Sequence, residues 1–349
     1  MVGHSHNNSN QWRVSDVASR MGKTVQDFRS NPLSDKIICA MISAIQAYTE
    51  MDVLVNEYPE NKPLLSNMML SLDVFYRRYN DQPDIESICH ALFISNKTSM
   101  ISKTIEIATS CAEYAKNKVA LTEVLTAVDI LRVNSAIITS STEPLLSEKL
   151  SNEYEKLVEP IWMILHDLYS PNRQYPLLLE AAIACFRLLT LFEMNTFSQQ
   201  TMTILLSTVY ENEFAFCGLL RQWVLSIDPR GHFSLVDITN ALVSIIGVFQ
   251  KMWAFTAMIM HIINGKRTEI ADLIKSIFPQ QISIGISSIL SESMCIRKRE
   301  TEDRLNLSSK TVTKLLTQLE QRNILHSVKN WRETLYFNNL MIDILRKQL

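Results

Sequence analysis

Only seven glycines punctuate 349 residues, where a usual share of roughly 7% would place more than three times as many. Tight turns and close backbone approaches are therefore scarce, and apolar residues recur at helical spacing through most of the chain. Ile37, Ile38, Met41, Ile42 and Ile45 follow the cap-like Ser34 and Asp35, and Val158, Ile161, Trp162, Ile164 and Leu165 repeat the pattern. Breaks are expected near Tyr58–Pro63, Asn80–Pro83, Ser140–Pro144, Ser170–Tyr175, Asp228–Phe233 and Asn264–Thr268, each carrying Pro, Gly, Asn or Ser. The fold expected is mainly α, of roughly eight to ten helices, without the fixed period of a solenoid.

The same glycine count bounds the chemistry. No two of Gly3, Gly22, Gly218, Gly231, Gly247, Gly265 and Gly285 stand close enough for a phosphate-cradling loop. Cys39, Cys89, Cys111, Cys185, Cys217 and Cys295 are well separated and mostly sit in apolar runs, which reads as reduced core thiols. The histidines are equally scattered, apart from His4 and His6 in a polar tail, so neither a metal nor a cofactor is expected. Met1–Gln11 lacks the charged and apolar regions of a signal peptide, and a cytoplasmic protein is expected. Ala241–Asn264 is apolar enough to test a membrane alternative. Gln250 and Lys251 near its middle favour a buried core helix, with no membrane partner.

Charge separates the chain into parts. From Ile296 to Leu349 there are eleven Lys and Arg against six Asp and Glu, while the whole chain carries −2. Within this basic end, Leu305–Ser309 reads as a short turn ending in two N-cap residues. Val312, Leu315, Leu316 and Leu319 then give an apolar stripe at i, i+3, i+4, i+7. Ser308 or Ser309 starts this helix, and its other face carries Ser309, Lys310, Thr313, Lys314 and Thr317, side chains suited to phosphates and base edges. Ile324–Val328 and Thr334–Phe337 are β-prone runs joined by Lys329-Asn330-Trp331-Arg332, a wing with Lys329 and Arg332 at its tip and Trp331 as a hairpin packing residue. A last helix over Leu340–Gln348 closes the unit. The weak element is Lys298–Leu305, where Thr301 and Glu302 stand at positions expected to be apolar.

The expected order is a polar, partly disordered tail over 1–31, a helical body over 32–264, and a winged helix-turn-helix with its linker over 265–349, the motif itself starting near Ser283. Double-stranded DNA is the expected partner, by way of Ser308, Ser309, Lys310, Thr313, Lys314, Thr317, Lys329 and Arg332. Docking on protein stays open, because such modules serve both purposes, and a homodimer or protein partner is compatible with the helical body.

Two stretches resemble the Fic family, helical proteins that transfer AMP to a hydroxyl and often carry a C-terminal winged helix. The tail is similar in order and spacing through Leu307–Val312, Leu319-Glu320, Ile324-Leu325 and Arg332–Tyr336. Leu177–Ala184 resembles the helix leading into the Fic signature, and Ile164–Leu168 the segment before it. That resemblance places the signature His-x-Phe-x-x-Gly-Asn-Gly-Arg at Phe192–Gln200. Phe192 stands for the catalytic His, Phe197, Ser198 and Gln199 for the anion-binding Gly-Asn-Gly, and Gln200 for the Arg. What it implies is a multi-helix Fic-like bundle without Fic chemistry, since neither the base nor the diphosphate cradle is present. Ser102 and Glu106 echo the family's regulatory helix without its Gly.

No Gly-x-Ser-x-Gly elbow and no His-Glu-x-x-His occurs. Asp73, Glu106, Glu180 and Glu193 read as isolated, solvated or capping carboxylates, and His166 and His261 as ordinary core or surface histidines. The expectation is a non-catalytic regulator, with a helical scaffold or a residual transferase as alternatives.

Overall fold

The computed structural model describes residues 19, 22–76, 83–94, 99–147, 149–191, 199–210 and 234–347. The chain is mainly helical, with a small three-stranded antiparallel sheet near its C-terminal end. Its long helices are α1 (Asp35–Glu57), α2 (Lys62–Tyr76), α3 (Ile85–Phe93), α4 (Met100–Thr122), α5 (Ala127–Thr139), α6 (Val158–Tyr169), α7 (Leu177–Leu191), α8 (Gln199–Val209) and α9 (Leu235–Lys275). They are followed by α10 (Gln280–Glu292), β1 (Cys295–Arg297), α11 (Lys298–Leu305), α12 (Ser309–Gln321), β2 (Leu325–Asn330), β3 (Glu333–Asn338) and α13 (Asn339–Arg346). Two interleaved units result. One comprises Met1–Thr49, Glu106–Phe216 and Leu220–Trp253, and the other Glu50–Ile105, Cys217–Leu219 and Ala254–Leu349. The basic C-terminal stretch thus shares its unit with residues 50–105.

In the first unit α7 is the central element, buried at every residue from Leu178 to Leu191. A helix apolar on all sides has no solvent face to keep, and Ala181, Ala182 and Ala184 let neighbours such as α6 approach closely. The turns between helices carry local signals. Thr126 and Asp129 form a reciprocal capping box at the start of α5, and Ser140, in the left-handed region at φ 51°, ends it. On α1 the apolar stripe divides: Ile37 and Met41 are buried, whereas Ile38, Ile42 and Ile45 are exposed. Cys89, Cys111 and Cys185 are buried, but Cys39, expected in the core, is exposed.

The break expected at Asn264–Thr268 does not occur; α9 runs through it as one helix of 41 residues. A glycine inside a helix costs about 1 kcal/mol. Against that, Ile263, Ile270 and Ile274 continue the buried stripe on both sides of Gly265, each worth roughly 1.5–3 kcal/mol when buried. Asn264 is fixed as well, accepting from Asn61 Nδ2 at 2.9 Å. Helices α1 and α9 are long and apolar enough to cross a membrane by length and composition. Of the most apolar window of α9, 50% is buried within the protein, including Phe249 and Trp253, and of that of α1, 33%.

In the second unit the sheet has the order β1-β3-β2. Cys295 pairs with Phe337 and Arg297 with Leu335 on one side of β3, and Leu325 with Asn338 through Asn330 with Glu333 on the other. Helix α11 forms over the residues expected, and the puzzle of its polar inward positions resolves locally. Thr301 is fully buried because its hydroxyl donates to the Arg297 carbonyl at 3.0 Å. Leu305 supplies the apolar contact by packing onto Gly285, where a Cβ would lie 2.3 Å from its Cδ2. Asn338, buried at the end of β3, donates from Nδ2 to the carbonyls of Leu290 (2.6 Å) and Ser293 (3.2 Å). Its backbone N–H donates to Met294, and its Oδ1 accepts from Leu340 N to start α13.

Candidate nucleic-acid interface

Helix α12 begins where a short polar side chain can satisfy its free N–H groups: Ser308, extended at ψ 151°, accepts from Thr311 N at 3.3 Å. The preceding helix α11 is stopped by Asn306, left-handed at φ 50°, so Asn306 and Leu307 alone separate α11 from the cap of α12. Val312, Leu315, Leu316 and Leu319 are buried, and Ser309, Lys310, Thr313, Lys314 and Thr317 are exposed on the other face. Two of the hydroxyls already have a task. Ser308 is the cap, and Thr313 donates to the Ser309 carbonyl at 2.8 Å, which leaves its lone pairs to accept from a base amino group.

Electrostatics divides the cations of this unit into two sets. Arg297 pairs with Glu333 (3.6 Å), Lys298 with Glu302 (3.8 Å), Arg304 with Glu292 (2.8 Å), and Arg346 with Glu86. Exposed and without an ion pair to a described residue are Arg299, Arg322 and Lys347 and, on α12 and the hairpin, the four cations Lys310, Lys314, Lys329 and Arg332. A cation held by a carboxylate has its charge partly cancelled; these four project theirs outward from α12 and the hairpin.

The hairpin is longer than its sequence signals suggested. Strand β2 continues through Lys329 and Asn330, so that Lys329 lies opposite Thr334 in the ladder, and Trp331 and Arg332 alone make the turn. Trp331 is not a packing residue. It is 85% exposed, with the Arg332 guanidinium 5.0 Å from its ring centroid, and its backbone is left-handed at φ 53°. That conformation is costly for a bulky L residue, so this tip displays a ring that contributes little to the core.

Elsewhere, Leu177–Ala184 is helical as expected, but Phe192, Phe197 and Ser198, together with Met194, expected with Phe192 and Phe197 to be at least partly buried, lie outside the described residues. Gln199 and Gln200 open α8. Glu106 is exposed, and His166 and His261 are surface residues, the latter 3.1 Å from Glu50. Glu180 corrects the reading of an isolated, solvated carboxylate. It is buried and accepts from Arg29 Nη2 at 2.7 Å, while Arg187 donates to Asp167 at 2.7 Å and Arg29 lies 3.7 Å from the same Asp167 oxygen. Burial raises the Glu180 pKa against the pull of Arg29, and burial lowers that of Arg187 against the pull of Asp167. Arg29, Asp167 and Arg187 border a cavity of about 580 Å³, lined also by Lys23, Glu159 and Met163. The Arg29–Glu180 pair spans 151 residues, and the only trace in the sequence is a carboxylate inside an apolar helix.

No protein-family model matches the chain, and no curated protein matches it.

Proposed function

We propose that this chain is a non-catalytic DNA-binding regulator in which the residues from about Ser283 onward act as a winged helix-turn-helix. In this reading α12 enters the major groove, Lys310 and Lys314 neutralise phosphates beside it, and Ser309, Thr313 and Thr317 face base edges. Lys329 and Arg332 meet the flanking backbone, and Trp331 at the hairpin tip lies against a sugar or base. The observation that carries the reading is the unpaired positive charge on the exposed face of α12 and on the hairpin. Lys310, Lys314, Lys329 and Arg332 have no acidic partner among the described residues, whereas Arg297, Lys298, Arg304 and Arg346 are paired. The helical body, a Fic-like scaffold without the Fic base and anion cradle, dimerises or senses a partner. A gel shift with random-sequence duplex at rising salt tests the proposal. Binding that weakens steeply with salt supports it, and absent or salt-indifferent binding removes it.

One observation favours a second reading, an adaptor that docks on protein. Ile38, Ile42 and Ile45 form an exposed apolar stripe at i, i+4, i+7 on α1, at 41%, 53% and 48% exposure. Capture of a partner that survives nuclease and is lost in Ile42→Glu would favour this reading over DNA contact.

A further inference from the structure

Three side chains from distant parts of the sequence meet inside the second unit. Glu86 and His90 stand one turn apart on α3 and so share a face, and His326 joins them from β2. Their ligand-type atoms all lie within 4.8 Å of one another. His90 Nε2 is 2.8 Å from His326 Nε2, and Glu86 Oε1 is 3.9 Å from the first and 3.5 Å from the second.

The surroundings orient these atoms inward. His326 Nδ1 faces Asn339 Oδ1, which only accepts, so Nδ1 carries the proton and Nε2 presents a lone pair. The Asn339 amide is itself held that way round, because its Nδ2 donates to the carbonyl (2.9 Å) and side-chain oxygen (3.1 Å) of Asn323. Arg346 takes Glu86 Oε2, which leaves Oε1 facing the imidazoles. The Phe337 ring lies beneath both histidines, at 4.3 Å from His90 and 5.5 Å from His326 between centroids, and gives the cluster an apolar floor.

We propose that Glu86, His90 and His326 bind one divalent ion of the zinc class. Two ligands at about 2.05 Å on a tetrahedral ion lie about 3.3 Å apart. The triangle edges here, 2.8, 3.5 and 3.9 Å, bracket that value, so sub-ångström movements of the side chains seat the ion. Two imidazoles with one carboxylate suit Zn²⁺ and its first-row neighbours rather than Mg²⁺ or Ca²⁺, which prefer all-oxygen shells. Without the ion the two Nε2 atoms share one hydrogen. Binding needs the His90 proton on Nδ1, a tautomer exchange with no net proton release. Asn339 is a positioning residue, acting through His326 as outer-shell partners of ligating histidines do. The fourth place on the ion is left for water. The ion would clip α3 to the strand that leads into the hairpin tip, and its uptake does not depend on whether the tip meets DNA.

Zinc alone is the probe, added to the full chain carrying His4→Ala and His6→Ala so that the tail histidines do not compete. Uptake is read against a chromogenic chelator, and unfolding temperature is followed with and without the ion. The expected result is one equivalent bound and a raised unfolding temperature. Affinity should fall at least about tenfold in His90→Ala and in Glu86→Gln, and about 10–100-fold in Asn339→Ala with the stoichiometry kept. Glu86→Gln keeps the side-chain shape and serves if His90→Ala does not fold. Co²⁺ in place of zinc should give the intense visible bands of a four-coordinate ion in the parent and not in Glu86→Gln. No uptake, or uptake indifferent to both Glu86→Gln and Asn339→Ala, overturns the proposal.

Discussion

Replacing Lys310 and Lys314 together by alanine should change how DNA binding responds to salt more than how the protein folds. Both are exposed on α12 and pair with no described acid, so the fold loses only helix-surface contacts. If Lys310, Lys314, Lys329 and Arg332 each neutralise one phosphate, log Kobs falls with log salt at a slope of about −3.6. Raising salt from about 50 to about 200 mM then weakens the parent about 150-fold, while the double variant, at about −1.8, weakens only about 12-fold. Lys298→Ala is the internal control. That lysine lies 3.8 Å from Glu302, and its loss should leave the slope near the parent's. Fluorescence anisotropy of a labelled random duplex across a salt series measures all three slopes, with circular dichroism to verify folding. A folded double variant with the parent's slope would refute the assignment of these lysines to phosphate.

Trp331→Gly should leave the stability of the second unit within about 1 kcal/mol of the parent in urea unfolding. Relief of left-handed strain, about 1–2 kcal/mol, offsets the lost contact with Arg332 and the added freedom of the unfolded chain. DNA binding should still weaken, by about 1–3 kcal/mol if the ring stacks on a base; a large stability loss instead would mean the ring packs in the folded chain. Leu315→Ala, deep under α12, should cost about 2–5 kcal/mol in the same unfolding assay through the cavity it opens, and a loss below about 1 kcal/mol would contradict the burial described. Asp84 caps α3, accepting from Ser87 N and Oγ at 2.9 and 2.7 Å, and these bonds hold its pKa below the usual 3.8. Its contribution is therefore complete above that pH and lost as pH falls through the lowered value. Asp84→Ala should cost about 1 kcal/mol near neutral pH and progressively less in acid, a narrowing that urea titrations at several pH values can follow.

The parts of this fold legible in the sequence are those whose causes are local. Helix α12 announces itself through Ser308 and a four-residue stripe within twelve positions, and the hairpin through two β-prone runs. Its turn is shorter than residue preferences predict, because Trp331 adopts a backbone they disfavour and strand pairing of Lys329 and Asn330 prevails over turn chemistry. The missed continuation of α9 through Gly265 has the same origin, in burial of isoleucines on both sides of a residue that looks like a break. Sites built from remote parts leave almost no trace. Glu180 has its partner 151 residues away, and His90 meets His326 across 236. Of the stretch aligned with the Fic signature, Phe192–Gln200, residues 192–198 lie outside the described residues.

The order β1-β3-β2 makes β3 a strand with neighbours on both edges, ending in Asn338, which fastens it to the end of α10. A protease cut after the exposed Arg332 would sever the hairpin without freeing either piece. The later fragment keeps both ladders and the buried Leu335, Phe337 and Met341, and the earlier one keeps α12 with its buried stripe. The nicked protein should therefore run as two bands under denaturing conditions and as one species in solution. Loss of the later fragment would have the opposite effect, because β1 and β2, each already at an edge of the sheet with β3 as its one partner there, would both be left with unpaired, adhesive backbone.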